Sequence, residues 1–323
     1  MILDPQVSDL LHAAAVAARP GYHEMSVQEA RAVHERNAAA LNLRAEPLAY
    51  IRNIAVPGAV GPRSARIYAD REPHGMPVIL WLHGGGHTLG SIDGYDSICR
   101  RLARESKCML ISLDYRLAPE NKFPAALDDA FAALLWLQQH ATELGGDPNR
   151  LAVAGDSAGG NLSAVCALLA REHAVISLKA QLLVYPAVAP YLDFASHRLF
   201  GEGHLLSVAA IRWFQSNYLN HDAEREDWRF APLLAADHSQ LAPALVVVAG
   251  HDPLRDEGIA YANQLKNAGT AVELIEHSGM VHAFWSLARV IDEGAVSMQR
   301  AAAFLQRALY GSGEPFAANR TDQ

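Results

Sequence analysis

Short apolar runs alternate with amphipathic helical stretches along most of this chain, and that alternation leaves few folds open. Buried strands are read at Val78 to Leu82, Met109 to Leu113, Leu151 to Ala154, Gln181 to Val184, Leu245 to Ala249 and Val272 to Ile275. Helical patterns fall between and after them at Tyr95 to Ser106, Ala125 to Leu144, Leu162 to Arg171, Gly258 to Ala268 and Asp292 to Leu309. A strand that returns to its sheet through a helix runs parallel to its predecessor. The expected class is therefore α/β: a mostly parallel sheet with helices on both faces. Two earlier strands, Tyr50 to Val56 and Ser64 to Ala69, are separated by Pro57-Gly58 and Gly61-Pro62, which is turn chemistry for an antiparallel pair.

Ahead of these strands, apolar periodicity from about 6 to 18 and about 26 to 42 reads as two helices. Ser26-Val27-Gln28-Glu29 has the form of a capping box opening the second. About sixty residues separate Tyr185 from Leu245, too many for a bare loop in a compact domain. That gap holds a helix-like stretch, Ser207 to Tyr218. The expected division is N-terminal helices at 1–45 contributing to a cap, a core over 46–188 and 231–310, a cap or lid over 189–230, and a frayed tail at 311–323.

A chain of 323 residues, half of them hydrophobic, can bury a large core. Its formal charge of -8, with acidic and basic residues interspersed, argues against a nucleic-acid surface or a polybasic membrane anchor. No apolar run reaches the roughly eighteen residues of a membrane span, and Met1 to Pro20 lacks a cationic leader, so a cytoplasmic address is expected. Cys99, Cys108 and Cys166 have no paired spacing and read as reduced core residues. The histidines form no H-E-x-x-H or Cys/His cluster, so no metal site is expected.

Chemistry concentrates at Gly155-Asp156-Ser157-Ala158-Gly159. An apolar strand runs into it and a helical pattern leaves it, the context in which a serine sits exposed on a strained turn. Asp156 reads as a turn residue. A serine hydroxyl needs a base, itself oriented by a carboxylate, and ligands in such sheets lie beyond the carboxyl ends of the strands. Asp252 follows one late strand. Asp256 and Glu257, its rivals, belong to the first helical turn beyond Pro253. His282 lies beyond the last strand, in a Gly-containing loop that can swing back towards the serine, and is preferred to His277 on the strand end; His251 reads as structural. For the developing oxyanion, Gly84 and Gly85 of His83-Gly84-Gly85-Gly86 and the amide of Ala158 are the expected donors, with His83 holding the loop in shape.

These residues, with Asp114-Tyr115-Arg116-Leu117-Ala118-Pro119-Glu120, Phe123-Pro124-Ala125-Ala126, Asp252-Pro253-Leu254-Arg255-Asp256-Glu257-Gly258 and Gly279-Met280-Val281-His282, resemble the hormone-sensitive-lipase-like family of esterases from roughly 45 to 310. The resemblance implies an α/β-hydrolase fold of eight mainly parallel strands with a helical cap. It further implies hydrolysis of short-chain carboxylic esters by Ser157, Asp252 and His282 without a cofactor, with the Tyr115 to Glu120 segment supporting the site. The chain departs from the family pattern at His87, where an aromatic is frequent, at Ala283, where glycine is frequent, and at His277; His87 is expected to make the mouth more polar. Trp213, Phe214, Phe284 and Trp285 are candidates, with His87, for the substrate pocket. The expected partners are an ester and water, with no nucleic acid and no membrane span, and a homodimer as an assembly the chain could form. An amidase, formamidase or other deacylase would use the same triad, and a ligand receptor can share the fold.

Overall fold

A computed structural model describes residues 2–173 and 176–311, so the expected tail at 311–323 lies, from residue 312 on, outside the described residues. In chain order the elements are α1 (Pro5–Ala17), α2 (Val27–Leu41), β1 (Tyr50–Pro57), β2 (Pro62–Ala69), β3 (Met76–Leu82), α3 (Asp96–Ser106), β4 (Met109–Leu113), α4 (Ala125–His140), β5 (Gly146–Asp156), α5 (Ala158–Glu172), β6 (Leu178–Val184), α6 (Ala195–Phe200), α7 (Val208–Tyr218), β7 (Ala244–His251), α8 (Arg255–Asn267), β8 (Val272–Val281) and α9 (Asp292–Tyr310). The strands form one sheet in the order β1-β2-β4-β3-β5-β6-β7-β8. Only β1 with β2 and β2 with β4 pair antiparallel; every other neighbour is parallel. The sequence pattern anticipates this α/β architecture.

Strand alternation sorts the core into two layers. Ile79 and Trp81 of β3 face α3 and α9, whereas Val78, Leu80 and Leu82 face α4 and α5. All seven β3 residues are buried, as expected of a central strand covered on both sides. The β1–β2 turn closes where predicted, with Gly58 N–H donating to Gly61 O (3.0 Å) and Gly61 at φ +74°. The Ser26 box is also formed: Ser26 N donates to Glu29 (3.0 Å) and Glu29 N to Ser26 Oγ (3.3 Å).

Some boundaries differ from the pattern reading. α5 begins at Ala158, because Gly159 and Gly160, poor helix formers, are imposed there by close packing. α6 carries too few residues to show a period. β8 runs on through His277 and Ser278 to Val281, so the expected loop before His282 is a correction: the strand continues past a bulge, with Ala249 opposite His277 and then His251 opposite Val281. α1 packs on this edge, Asp4 N donating to Gly279 O (3.1 Å) while Val7 is fully buried. No helix among the described residues is long and apolar enough to cross a membrane.

Candidate active site

Ser157 stands between the last residue of β5 and the first of α5, with φ +53° and ψ -117°, a conformation that L residues adopt only under constraint. The constraint is visible. A Cβ on Gly155 or Gly159 would fall on the carbonyl of Leu82, so the ends of β3 and β5 and the start of α5 are in backbone contact. Ser157 N also donates to Val184 O (2.8 Å), tying the elbow to β6.

His282 Nε2 lies 3.0 Å from Ser157 Oγ, and His282 Nδ1 lies 2.7 Å from Asp252 Oδ2. Asp252 is fully buried, and its other oxygen accepts the amide of Leu254 (2.8 Å). An ionised carboxylate only accepts, so Nδ1 carries the imidazole proton and Nε2 offers its lone pair to the serine hydroxyl. The Tyr185 ring, itself at φ +35°, meets the imidazole edge-on at 4.8 Å.

The rivals go elsewhere. His277 pairs with Glu293 (2.7 Å), and His251 packs among Phe200 and His204. Asp256 accepts Ser196 N (2.8 Å). Glu257, whose carboxyl burial pushes up, accepts the amides of Val188 (2.6 Å) and Ala189 (3.2 Å) and meets His197 Nε2 at 2.9 Å. Both thus hold the 189–230 insertion to α8.

Beside the serine, the Gly triplet is fixed peptide by peptide. Gly84 N donates to Asp156 Oδ1 (2.8 Å), so this amide is already engaged, and the expectation of Gly84 as an oxyanion donor is corrected. Gly84 O is 2.8 Å from His83 Nδ1, and Gly85 O accepts the amides of Thr88 (3.1 Å) and Leu89 (2.8 Å). In a trans peptide the N–H points opposite to the C=O, so these acceptors aim the amides of Gly85 and Gly86. Among the described residues, neither of those amides makes an intramolecular hydrogen bond. The amide of Ala158, first residue of α5, is likewise one of the donors a helix start leaves unpaired.

His83 makes this bond as a neutral ring whose Nδ1 carries the proton and donates to Gly84 O. Burial pushes its pKa down to about 4, its ring stacks on Tyr115 (4.4 Å), and Tyr115 Oη donates to His83 O (2.6 Å). Asp156 was read as a turn residue, and its task was missed: besides Gly84 it accepts Tyr95 Oη (3.0 Å). The available signal was its place at the end of the apolar run Leu151–Gly155, where an isolated carboxylate needs donors.

The pocket candidates divide. Phe214 lies directly on Gly86, whose missing Cβ would overlap its ring; Trp213 packs edge-on to Phe214 (5.1 Å), and Tyr22 lies 6.3 Å from it. His87 is a correction: it is buried flat against Tyr218 (3.9 Å), with its pKa pushed down to about 3, so it contributes an uncharged plate and not a polar mouth. Phe284 and Trp285 are corrections too. Both are fully buried, Trp285 stacked on Trp81 (6.2 Å) and donating to Ser297 (2.9 Å), because the chain turns inward after His282 to seal α9 on the sheet.

Residues 79–286 match the model of a family described by the alpha/beta hydrolase fold. The chain is 45% identical over 243 residues to carboxylic ester hydrolase LipN of Mycobacterium tuberculosis, covering 73% of this chain and 65% of LipN, just under two thirds of that relative. It is 37% identical over 278 residues to ethyl acetate hydrolase of Pseudomonas putida, covering 84% and 87% of the two chains. The hyperthermophilic esterase of Pyrobaculum calidifontis superposes with a TM-score of 0.90 at 36% identity, covering 95% of this chain and 98% of that one.

Proposed function

The chain belongs to the alpha/beta hydrolase family, in its hormone-sensitive-lipase-like branch, and from that premise we propose that it is a serine carboxylesterase acting on short- to medium-chain esters. The observation that carries the reading is His282, which bridges Ser157 at 3.0 Å and Asp252 at 2.7 Å.

In the proposed reaction, Ser157 Oγ attacks the ester carbonyl carbon as its proton passes to His282 Nε2. The carbonyl oxygen becomes an oxyanion held by the amides of Gly85, Gly86 and Ala158. Collapse of the tetrahedral intermediate breaks the ester C–O bond, and the departing alcohol takes the proton from Nε2. Water then attacks the acyl-enzyme, giving its proton to Nε2; the acid leaves and Ser157 regains its proton. Asp252 keeps its charge throughout and supports the imidazolium.

The 189–230 insertion, with Phe214 over Gly86 and Tyr22 against Phe214, supports a lid that roofs an apolar acyl site of modest length. A cytoplasmic address, in keeping with three buried free cysteines, and a homodimeric assembly complete the proposal. The test compares wild type and Ser157→Ala on p-nitrophenyl acetate, butyrate and octanoate and on the matching butyryl anilide. Ester turnover that vanishes in the variant and falls at the octanoate is expected. Unchanged turnover in Ser157→Ala refutes the nucleophile, and faster cleavage of the anilide than the ester makes the chain an amidase.

A further inference from the structure

Arg31 lies on α2, outside every motif above, yet its guanidinium reaches the loop that carries Gly85 and Gly86. Nε donates to Thr88 O (2.9 Å) and Nη2 to Ala118 O (2.9 Å). Nη1 and Nη2 also grip the Glu120 carboxylate, at 2.8 Å and 2.7 Å. Thr88 is part of the Gly loop: its amide donates to Gly85 O and its hydroxyl to Gly86 O (3.1 Å). Ala118 N, in turn, donates to His87 O (2.8 Å). One planar fork therefore laces the N-terminal helix, the Gly loop and the Asp114–Glu120 run together, a geometry that a lysine cannot reproduce.

With 29% of the Arg31 side chain and 52% of Glu120 exposed, the ion pair alone is worth little. What distinguishes it is that two of the four bonds end on main-chain carbonyls, one of Thr88 in the Gly loop and one of Ala118, whose amide holds His87 O. We propose that Arg31 is a positioning residue for the oxyanion-binding loop, making the docking of α2 a condition for the correct aim of the Gly85 and Gly86 amides. Glu120 holds the fork at the angle that lets it span both carbonyls. The inference rests on the esterase reading above. Loss of the clamp frees the loop to tilt its donors off the point where negative charge develops, so the effect falls on kcat and not on KM.

Arg31→Ala and Arg31→Lys are compared with wild type in kcat and KM for p-nitrophenyl butyrate. They are compared as well in melting temperature and in inhibition by an aryl trifluoromethyl ketone, whose serine hemiketal places an oxyanion in the same hole. For Arg31→Ala, kcat should fall and the inhibition constant rise, each about tenfold, with KM within about twofold. Arg31→Lys restores a charge opposite Glu120 but not the paired carbonyl contacts; it should regain melting temperature without regaining inhibitor affinity. If Arg31→Ala does not fold, the lysine variant's inhibition constant decides alone. Wild-type kcat and inhibition constant in the folded variants, with only melting temperature lowered, overturn the proposal and leave the esterase reading standing. A wild type that hydrolyses no ester overturns both.

Discussion

The amide of Gly84 lies 2.8 Å from Oδ1 of Asp156, the residue immediately before Ser157. The Ser157 turn and the Gly loop are thereby joined through a single buried carboxylate, and the first amide of the triplet is spent on that join. In the proposed reaction its two successors are left for the substrate.

Gly86 is the more instructive of the two. Its φ of +60° strains any other residue by about 1–2 kcal/mol, and a Cβ there would overlap Phe214. Gly86→Ala should lower kcat by tenfold or more, about the scale of a displaced oxyanion donor. Gly86→Ala with Phe214→Ala should recover part of that loss, because the obstacle is a side chain. Steady-state kinetics on the single and double variants check it; a double variant no better than Gly86→Ala means the strain, not the ring, is decisive.

Asp252→Asn keeps the shape of the triad but lets an amide N–H face His282, favouring the tautomer whose Nε2 carries a proton and cannot accept one from Ser157. A drop in kcat of about 10⁴ is expected, with KM nearly unchanged. Single-turnover measurements with p-nitrophenyl butyrate should show the acylation burst slowed by the same factor.

Burial raises the Asp156 carboxyl to about 6 from its ordinary 3.8, against the opposing pull of Tyr95 and Gly84. Because the folded pKa exceeds the unfolded one, the destabilising contribution is present above about pH 6 and is relieved as pH falls towards 3.8. Asp156→Asn removes the charge and keeps an acceptor for Gly84. It should be more stable than wild type at pH 8, by on the order of 2 kcal/mol, with the gap narrowing below about pH 6 and closing only below about pH 3.8. Urea titrations across that range read it directly; a gap independent of pH contradicts the burial argument.

Trp285→Ala tests the core assignment. The indole fills the layer between Trp81 and α9, so its loss should cost about 3–5 kcal/mol of stability. Chain-length preference should not move. A variant of wild-type stability with altered preference would return Trp285 to the pocket.

How far the sequence could be read depends on the range of the forces involved. β3 and β7 are apolar at nearly every position, so burial on both faces announces them, and the sheet follows. The meeting of Ser157, Asp252 and His282 was legible because each stands just past a strand end. The reach of β8 through His277-Ser278-Gly279 was not, since those residues are held by pairing with β7 across a bulge and carry no period of their own. Asp156 was misjudged for a related reason. Its partner Gly84 is 72 residues away in the chain, and a carboxylate before a serine looks the same whether it shapes a turn or anchors a distant loop. Phe284 and Trp285 show the converse: aromatic identity says that a side chain wants shelter, but not which shelter it finds.

His282 follows the last residue of β8 directly, so its imidazole rides on the sheet instead of on a hinge. The proposed reaction centre is therefore already assembled without an ester bound. Under the proposed function, substitutions in the 189–230 insertion would alter which esters fit while leaving the geometry beneath it in place.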